Sequence, residues 1–248
     1  MGRQCLFCPN AATTKEHLWA GWILNALSPR TTPIQMQLGK SAPTEFRGDV
    51  RIRCVCQSCN NGWMSALEDA VKPFVGAMLH DLSITLTHEN QRTIATWAAK
   101  TAMVLEATIR DPAHRLYNGD ECEQLRLHSA IPDRSLLWLG RVAESGLFAS
   151  GTHVWLQDNF AKPCDGQVST FSVGYLAFQI LTIHIRPEDY GKAMRTVCHD
   201  GPWDNSLLGI YPSNQTVTWP PRLTFTTRGG PLLFTTLRDR WKIGRQKT

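Results

Sequence analysis

The sequence predicts an α+β protein in three parts: a zinc-stapled N-terminal module, a helical middle and a mixed α+β C-terminal part. Three observations carry that expectation. Two Cys-x-x-Cys pairs, Cys5/Cys8 and Cys56/Cys59, stand in the first quarter of the 248 residues. From Trp63 onward apolar residues recur at helical spacing, and after about residue 130 strand-like runs replace them. The expected boundaries are 1–68, 69–130 and 131–248.

In the first part, each Cys-x-x-Cys pair offers two thiolates from one tight turn, so two pairs can close a tetrahedral Zn²⁺ site. A redox role for one pair needs a thioredoxin-like βαβ context, which the pattern lacks. Structural zinc on Cys5, Cys8, Cys56 and Cys59 is therefore expected. Cys54 offers a competing Cys-x-Cys chelate, but the spacing favours Cys56 and Cys59 and leaves Cys54 a spare thiol. Cys122, Cys164 and Cys198 are scattered and read as ordinary thiols.

Between the pairs, His17 to Leu27 is apolar and aromatic and suits one short helix. Ser28 to Gly48 is polar and broken by Pro29, Pro33 and Pro43, so it reads as loop. Arg47, Arg51 and Arg53 alternate in a possible strand, which would line them along one face. In the second part, Leu67, Val71, Phe74, Val75 and Met78 mark one helix, with Pro73 kinking or dividing it. Thr87 caps a second helix whose apolar face is Ile94, Trp97, Ala98, Ala102 and Leu105. In the third part, Leu136–Val142, Val154–Gln157 and Val168–Ile185 read as strands. The last is long enough for two strands or one bent strand, with Gly174 as the irregular point. Pro187–Val197 reads as a short helix, Leu207–Tyr211 and Thr216–Trp219 as strands, and Arg238–Lys247 as a basic helix or tail.

Charge is unevenly spread. Residues 1–62 hold seven Lys/Arg against three Asp/Glu, residues 63–221 twelve against seventeen, and residues 222–248 seven against one. Basic ends beside a metal cluster suit a polyanion such as nucleic acid. No run approaches 18 apolar residues, which excludes a membrane-spanning helix, and MGRQCLFCPN has no apolar signal core. A cytoplasmic protein is expected.

Between the pairs, Glu16-His17 sets two roles side by side. A carboxylate binds a hard divalent cation through oxygen, and an imidazole of near-neutral pKa takes a proton from water. Asn60, directly after Cys59, offers an amide oxygen as a further ligand. Asn60 and Asn61 also suit the cap of the following helix. Glu68, two helical turns on, reads as a solvent-exposed or paired carboxylate. Trp19, Trp22, Trp63 and Trp97 read chiefly as packing residues.

Cys-x-x-Cys, then Glu16-His17, then Cys-x-x-Cys-Asn60 resembles the HNH endonucleases. The later strings CNNGWMSALE and IATWAAKTAMVLE are similar to bacterial proteins of HNH type. The resemblance implies a treble-clef-like ββα-metal core over residues 1–68, stapled by the four-cysteine zinc. It implies Glu16 and Asn60 as ligands of a catalytic cation, Mg²⁺ or another divalent ion, and His17 as the general base against a phosphodiester. Many family members also carry an Asn ahead of the second cysteine pair, and residues 46–53 contain none. The expectation is a metal-dependent endonuclease acting on nucleic acid, DNA in the first place. Arg47, Arg51, Arg53 and the basic tail would hold phosphates, and the C-terminal part would serve target choice or self-association. The alternative is a non-catalytic zinc module that binds nucleic acid or a protein.

Overall fold

The fold is built outward from a two-stranded antiparallel hairpin. Strand β1 (Thr14–His17) pairs with β4 (Arg51–Val55), Lys15 opposite Arg53, Glu16 opposite Ile52 and His17 opposite Arg51. This is a computed structural model, and it describes residues 3–27, 34–38, 44–46, 49–109, 115–156, 164–184, 207–213 and 215–225. The burial of β4 alternates, with Arg51 and Arg53 exposed and Ile52 and Cys54 buried, as a half-buried strand requires. The arginine alternation in the sequence is thus a real strand face, although Arg47 lies outside the described residues.

The helix expected over His17 to Leu27 is shorter. His17 closes β1, and α1 covers Gly21–Ala26 with Ile23 fully buried. After β4, Cys56 caps a short turn, α2 (Gln57–Cys59). A π-helical turn (Asn60–Met64) then leads into α3 (Ser65–Leu79). Pro73 neither ends nor divides α3. It sits on the exposed side, where its missing N–H opens the helix toward water rather than toward the core.

Helix α4 (His88–Glu106) starts where the sequence placed it. The Thr87 hydroxyl accepts the Asn90 N–H, and the Asn90 side chain accepts the Thr87 N–H, a reciprocal cap. From Ile94 to Glu106 every residue is buried, so α4 is the central helix and is covered on all sides. Helix α5 (Gly119–His128) repeats the cap with Asn118 and Glu121. Sequence analysis missed it, although Asn-x-x-Glu was there to read.

The C-terminal part is one long hairpin. Strand β6 (Ser135–Leu156) merges the two strands expected there and pairs along its length with β7 (Cys164–His184). A register shift between Arg141 and Gly146 marks the join. Gly174 is the irregular point, with φ of +58°, and a Cβ there would stand 2.5 Å from the Leu79 carbonyl oxygen. Both the backbone and the space demand glycine. Strand β8 (Leu207–Tyr211) pairs with the start of β6, and β10 (Thr224–Phe225) runs parallel to its middle. A separate pair joins β5 (Ile84–Leu86) to β9 (Val217–Trp219).

The stretch read as loop, Ser28 to Gly48, contributes β2 (Ile34–Leu38) and β3 (Thr44–Phe46). Strand β2 pairs in parallel with β6, Ile34 opposite Leu147. The partner strand, far along the chain, supplies the pairing that local sequence does not announce. The helix read at Pro187–Val197 and the tail at Arg238–Lys247 lie outside the described residues, as do Gln157 and Ile185.

A single apolar core links the three expected parts, from Cys5 to Trp219. Its aromatic centre draws on all three: Trp19 packs edge-on to Phe171 at 5.5 Å, and Trp97 lies 5.1 Å from Phe178. The two phenylalanines stack at 4.8 Å. Among the described residues no helix is long and apolar enough to cross a membrane.

Candidate functional site

The four cysteine thiols come together where the N-terminal turn meets the start of α2. The Cys5 N–H donates to the Asn10 carbonyl at 2.7 Å, and the Leu6 N–H donates to the Cys54 carbonyl at 2.8 Å. These bonds curl residues 5–8 over the end of β4. The sulfurs of Cys5, Cys8, Cys56 and Cys59 all lie within 4.8 Å of one another. Cys8 Sγ is 3.5 Å from Cys56 Sγ and 3.6 Å from Cys59 Sγ. A tetrahedron with Zn–S bonds of about 2.3 Å has edges of about 3.8 Å, so the cluster is close to the size zinc requires.

The surroundings divide the quartet: burial, with the neighbouring thiols, pushes Cys5 and Cys59 up, whereas Cys56 is lowered. Burial opposes ionisation of Cys56, but the Ser58 hydroxyl at 3.1 Å and the Cys59 N–H at 3.4 Å lower its thiol to about 6. The Trp63 indole N–H is buried without a conventional acceptor and lies against the Cys59 sulfur. The Trp63 ring sits edge-on to Phe7, 4.9 Å away. Donors aimed at sulfur are the second layer that a metal–thiolate centre needs. The four cysteines are positioned to hold a metal ion, and the arrangement is consistent with structural zinc. Cys54 is not part of the quartet. Its thiol is pushed up to about 12, chiefly by burial, and it is the spare the spacing implied.

Glu16 and His17 separate onto opposite faces of β1, as successive strand residues must. Glu16 is 3% exposed and faces inward. Its Oε1 accepts from Lys100 Nζ at 3.0 Å, and the same ammonium donates to Glu68 Oε1 at 3.1 Å. Lys100, on α4, is 2% exposed. Desolvation works against its charge, but Glu16 and Glu68 outweigh it and raise its pKa. Glu68 is therefore a paired carboxylate. Lys100 went unnoticed in the sequence, although a lysine inside the apolar run ATWAAKTAMVL was a visible signal.

Asn60 lies on the inner side as well. Its Nδ2 donates to Thr14 Oγ1 at 3.3 Å, and its N–H donates to the Cys56 carbonyl at 3.0 Å. Glu16 and Asn60 therefore do not fit a divalent cation in this arrangement, because the position such an ion would take beside the Glu16 carboxylate holds the Lys100 ammonium. Among the described residues the four thiols form the one cluster of three or more His, Cys, Asp or Glu side chains suited to a metal.

His17 faces outward. Its Nε2 stands 3.0 Å from Asp49 Oδ2, and Arg51 Nε donates to the same oxygen at 2.5 Å. His17 and Arg51 are directly opposed across the hairpin, as are Lys15 and Arg53, so the outer face carries three exposed cations beside one imidazole. Asp49 was not singled out from the sequence, because its contact arises only once β1 and β4 pair.

Of the four tryptophans, Trp19 and Trp97 are buried in the core, as packing residues should be. Trp22 is half-buried under Lys72, whose Nζ lies 6.0 Å from the ring centre. No family model, curated protein or solved structure matches the chain.

Proposed function

We propose that this chain is a nucleic-acid phosphodiesterase on the HNH endonuclease plan, with zinc as a structural staple and His17 as its general base. The observation that carries the reading is the His17–Asp49 pair at 3.0 Å on the exposed, basic face of the hairpin. A strand pair followed at once by a helix, with thiols from before the first strand and after the second, fits a ββα-metal, treble-clef-like core.

Zinc on Cys5, Cys8, Cys56 and Cys59 would fix the turn at residues 5–8 to the start of α2 and so hold the hairpin rigid. Asp49, 3.0 Å from Nε2, orients the His17 ring, a role a carboxylate plays beside a general base. Lys15 and Arg53 flank the imidazole and supply positive charge for the phosphates on either side. Arg51 fixes the Asp49 carboxylate while its remaining N–H groups face solvent. A catalytic Mg²⁺ on Glu16 and Asn60 belongs to the HNH resemblance, and the inner face as arranged does not accommodate it.

The Glu16–Lys100–Glu68 group favours a second reading, a zinc module that binds nucleic acid without cutting it. One experiment separates the two. Purified protein is assayed for zinc, then for binding and cleavage of duplex DNA, single-stranded DNA and RNA, with and without added Mg²⁺, Mn²⁺ and Ni²⁺, beside His17→Ala. About one zinc per chain with His17-dependent cleavage is the expected result. Binding without cleavage under every condition establishes the second reading. Neither binding nor cleavage of any substrate sinks both.

A further inference from the structure

We infer that the Lys100 ammonium is the resident cation of the inner face, standing where the HNH plan puts a divalent ion, so that zinc is the only metal this hairpin holds. The inference rests on the reading of residues 14–68 as an HNH-type core. It concerns what balances the carboxylates inside that core, not what happens on the outer face.

Two carboxylates converge on one point between β1, α3 and α4. The Glu16 and Glu68 oxygens lie 3.0 and 3.1 Å from Lys100 Nζ. Thr14 Oγ1 and the Asn60 amide meet on the same inner side of the hairpin, 3.3 Å apart. Convergent oxygens between a strand pair and a helix are what a hard cation needs. Here the cation is covalently attached. An ion bound to Glu16 at about 2.1 Å would stand within a few ångströms of the ammonium, in a place where charge repulsion is little screened.

The ammonium is not free to leave. Lys100 lies within a helical stretch buried on every side, flanked by the core residues Trp97, Ala99 and Val104. Swinging it out would leave the Glu16 carboxylate unpaired in the core. Both of its carboxylate partners lie within hydrogen-bond distance, at 3.0 and 3.1 Å. The site is built for one positive charge, and that charge is already in place.

The test reads metal binding and stability, with no nuclease assay. Zinc-loaded wild-type protein is titrated with Mn²⁺ by electron paramagnetic resonance, beside Glu16→Gln, Lys100→Ala and the double variant Lys100→Ala/Glu68→Gln. Wild type should show no saturable Mn²⁺ site on the inner face up to ~1 mM, the weak end of protein oxygen-ligand sites. Lys100→Ala should keep its zinc, lose thermal stability, gain one Mn²⁺ site and recover part of its Tm as Mn²⁺ is added. The double variant should lose that gain. If Lys100→Ala does not fold, the same gain is read in Lys100→Gln, which keeps length and polarity and drops the charge.

A wild-type Mn²⁺ site that Glu16→Gln removes overturns the inference. A folded, zinc-loaded Lys100 variant that gains no site overturns it too. Wild-type binding that survives Glu16→Gln lies elsewhere and leaves it standing. The functional reading fails separately, by absence of nucleic-acid binding and cleavage. Cleavage that needs both Mg²⁺ and Glu16 would instead support the nuclease and sink this inference.

Discussion

The two faces of the β1–β4 hairpin carry the same kinds of side chain under opposite conditions. Outside, His17 and Asp49 pair with side chains 32% and 24% exposed, among Lys15, Arg51 and Arg53. Inside, Glu16 and Lys100 pair at the same 3.0 Å, with side chains 5% and 2% exposed. Water screens the outer pair and leaves it free to exchange partners, as the proposed general-base role of His17 requires. The inner pair has no such freedom, since breaking it strands a charge in the core. One strand of four residues thus separates chemistry from architecture by its alternation alone.

The comparison breaks most severely at the zinc quartet, on which both faces depend. Cys59→Ser should reduce bound zinc from about one per chain toward none and abolish cooperative unfolding, since metal affinity in such modules is folding free energy. Metal analysis with a denaturation curve checks it, and a zinc-free variant with wild-type unfolding would show that the staple is dispensable. Next comes the inner face. Lys100→Ala should cost about 3–5 kcal/mol, the range for removing one partner of a buried ion pair. Urea unfolding measures this, and a loss below ~1 kcal/mol would show that the pair is solvated like the outer one.

A second buried carboxylate sharpens the contrast. Glu106, at the end of α4, is met by the N–H groups of Leu116 and Tyr117 at 2.6 and 3.0 Å. Burial raises its pKa to about 7 against these hydrogen bonds, which act to lower it. The folded chain therefore holds a proton that the unfolded chain releases above about pH 4.5. Stability should decline as pH rises from about 4.5 to about 7. Glu106→Gln should flatten that part of the Tm-against-pH curve, and an unchanged slope would mean that Glu106 is ionised throughout it. The smallest effect on stability belongs to the outer face. Arg53→Ala should change it by no more than about 0.5 kcal/mol. Yet it should lower the salt dependence of nucleic-acid binding by about one phosphate contact. Binding with an unchanged salt slope would remove Arg53 from the interface.

What the sequence made legible follows the distance over which each contact acts. The zinc quartet and the Thr87 cap were readable because their parts lie within three residues of each other, or form two such pairs. The strand character of Arg51 and Arg53 was readable from alternation. Lys100 and Glu16 are 84 residues apart, and Lys100 and Glu68 are 32 apart, so neither pair leaves a local pattern. Asp49 needs the hairpin to close before it reaches His17. The strand at Ile34–Leu38 needs β6, and the prolines that surround it, Pro29, Pro33 and Pro43, argue for loop. The α5 cap is a different kind of miss, since Asn118 and Glu121 were three residues apart and simply overlooked.

Residues 18–50 join the two strands of the hairpin, and that crossing carries β2 out to pair with β6. A module closed by a short turn is a cassette that recombination or cloning can lift from one protein into another. Here the segment that connects the hairpin's strands is also a strand of the neighbouring sheet. The Glu16 carboxylate, in turn, finds its counter-charge on a helix outside the module. Residues 1–68 are thus woven into their surroundings rather than appended to them. Grafting them onto another scaffold would carry the four thiols across but leave behind the sheet and the ammonium that complete them.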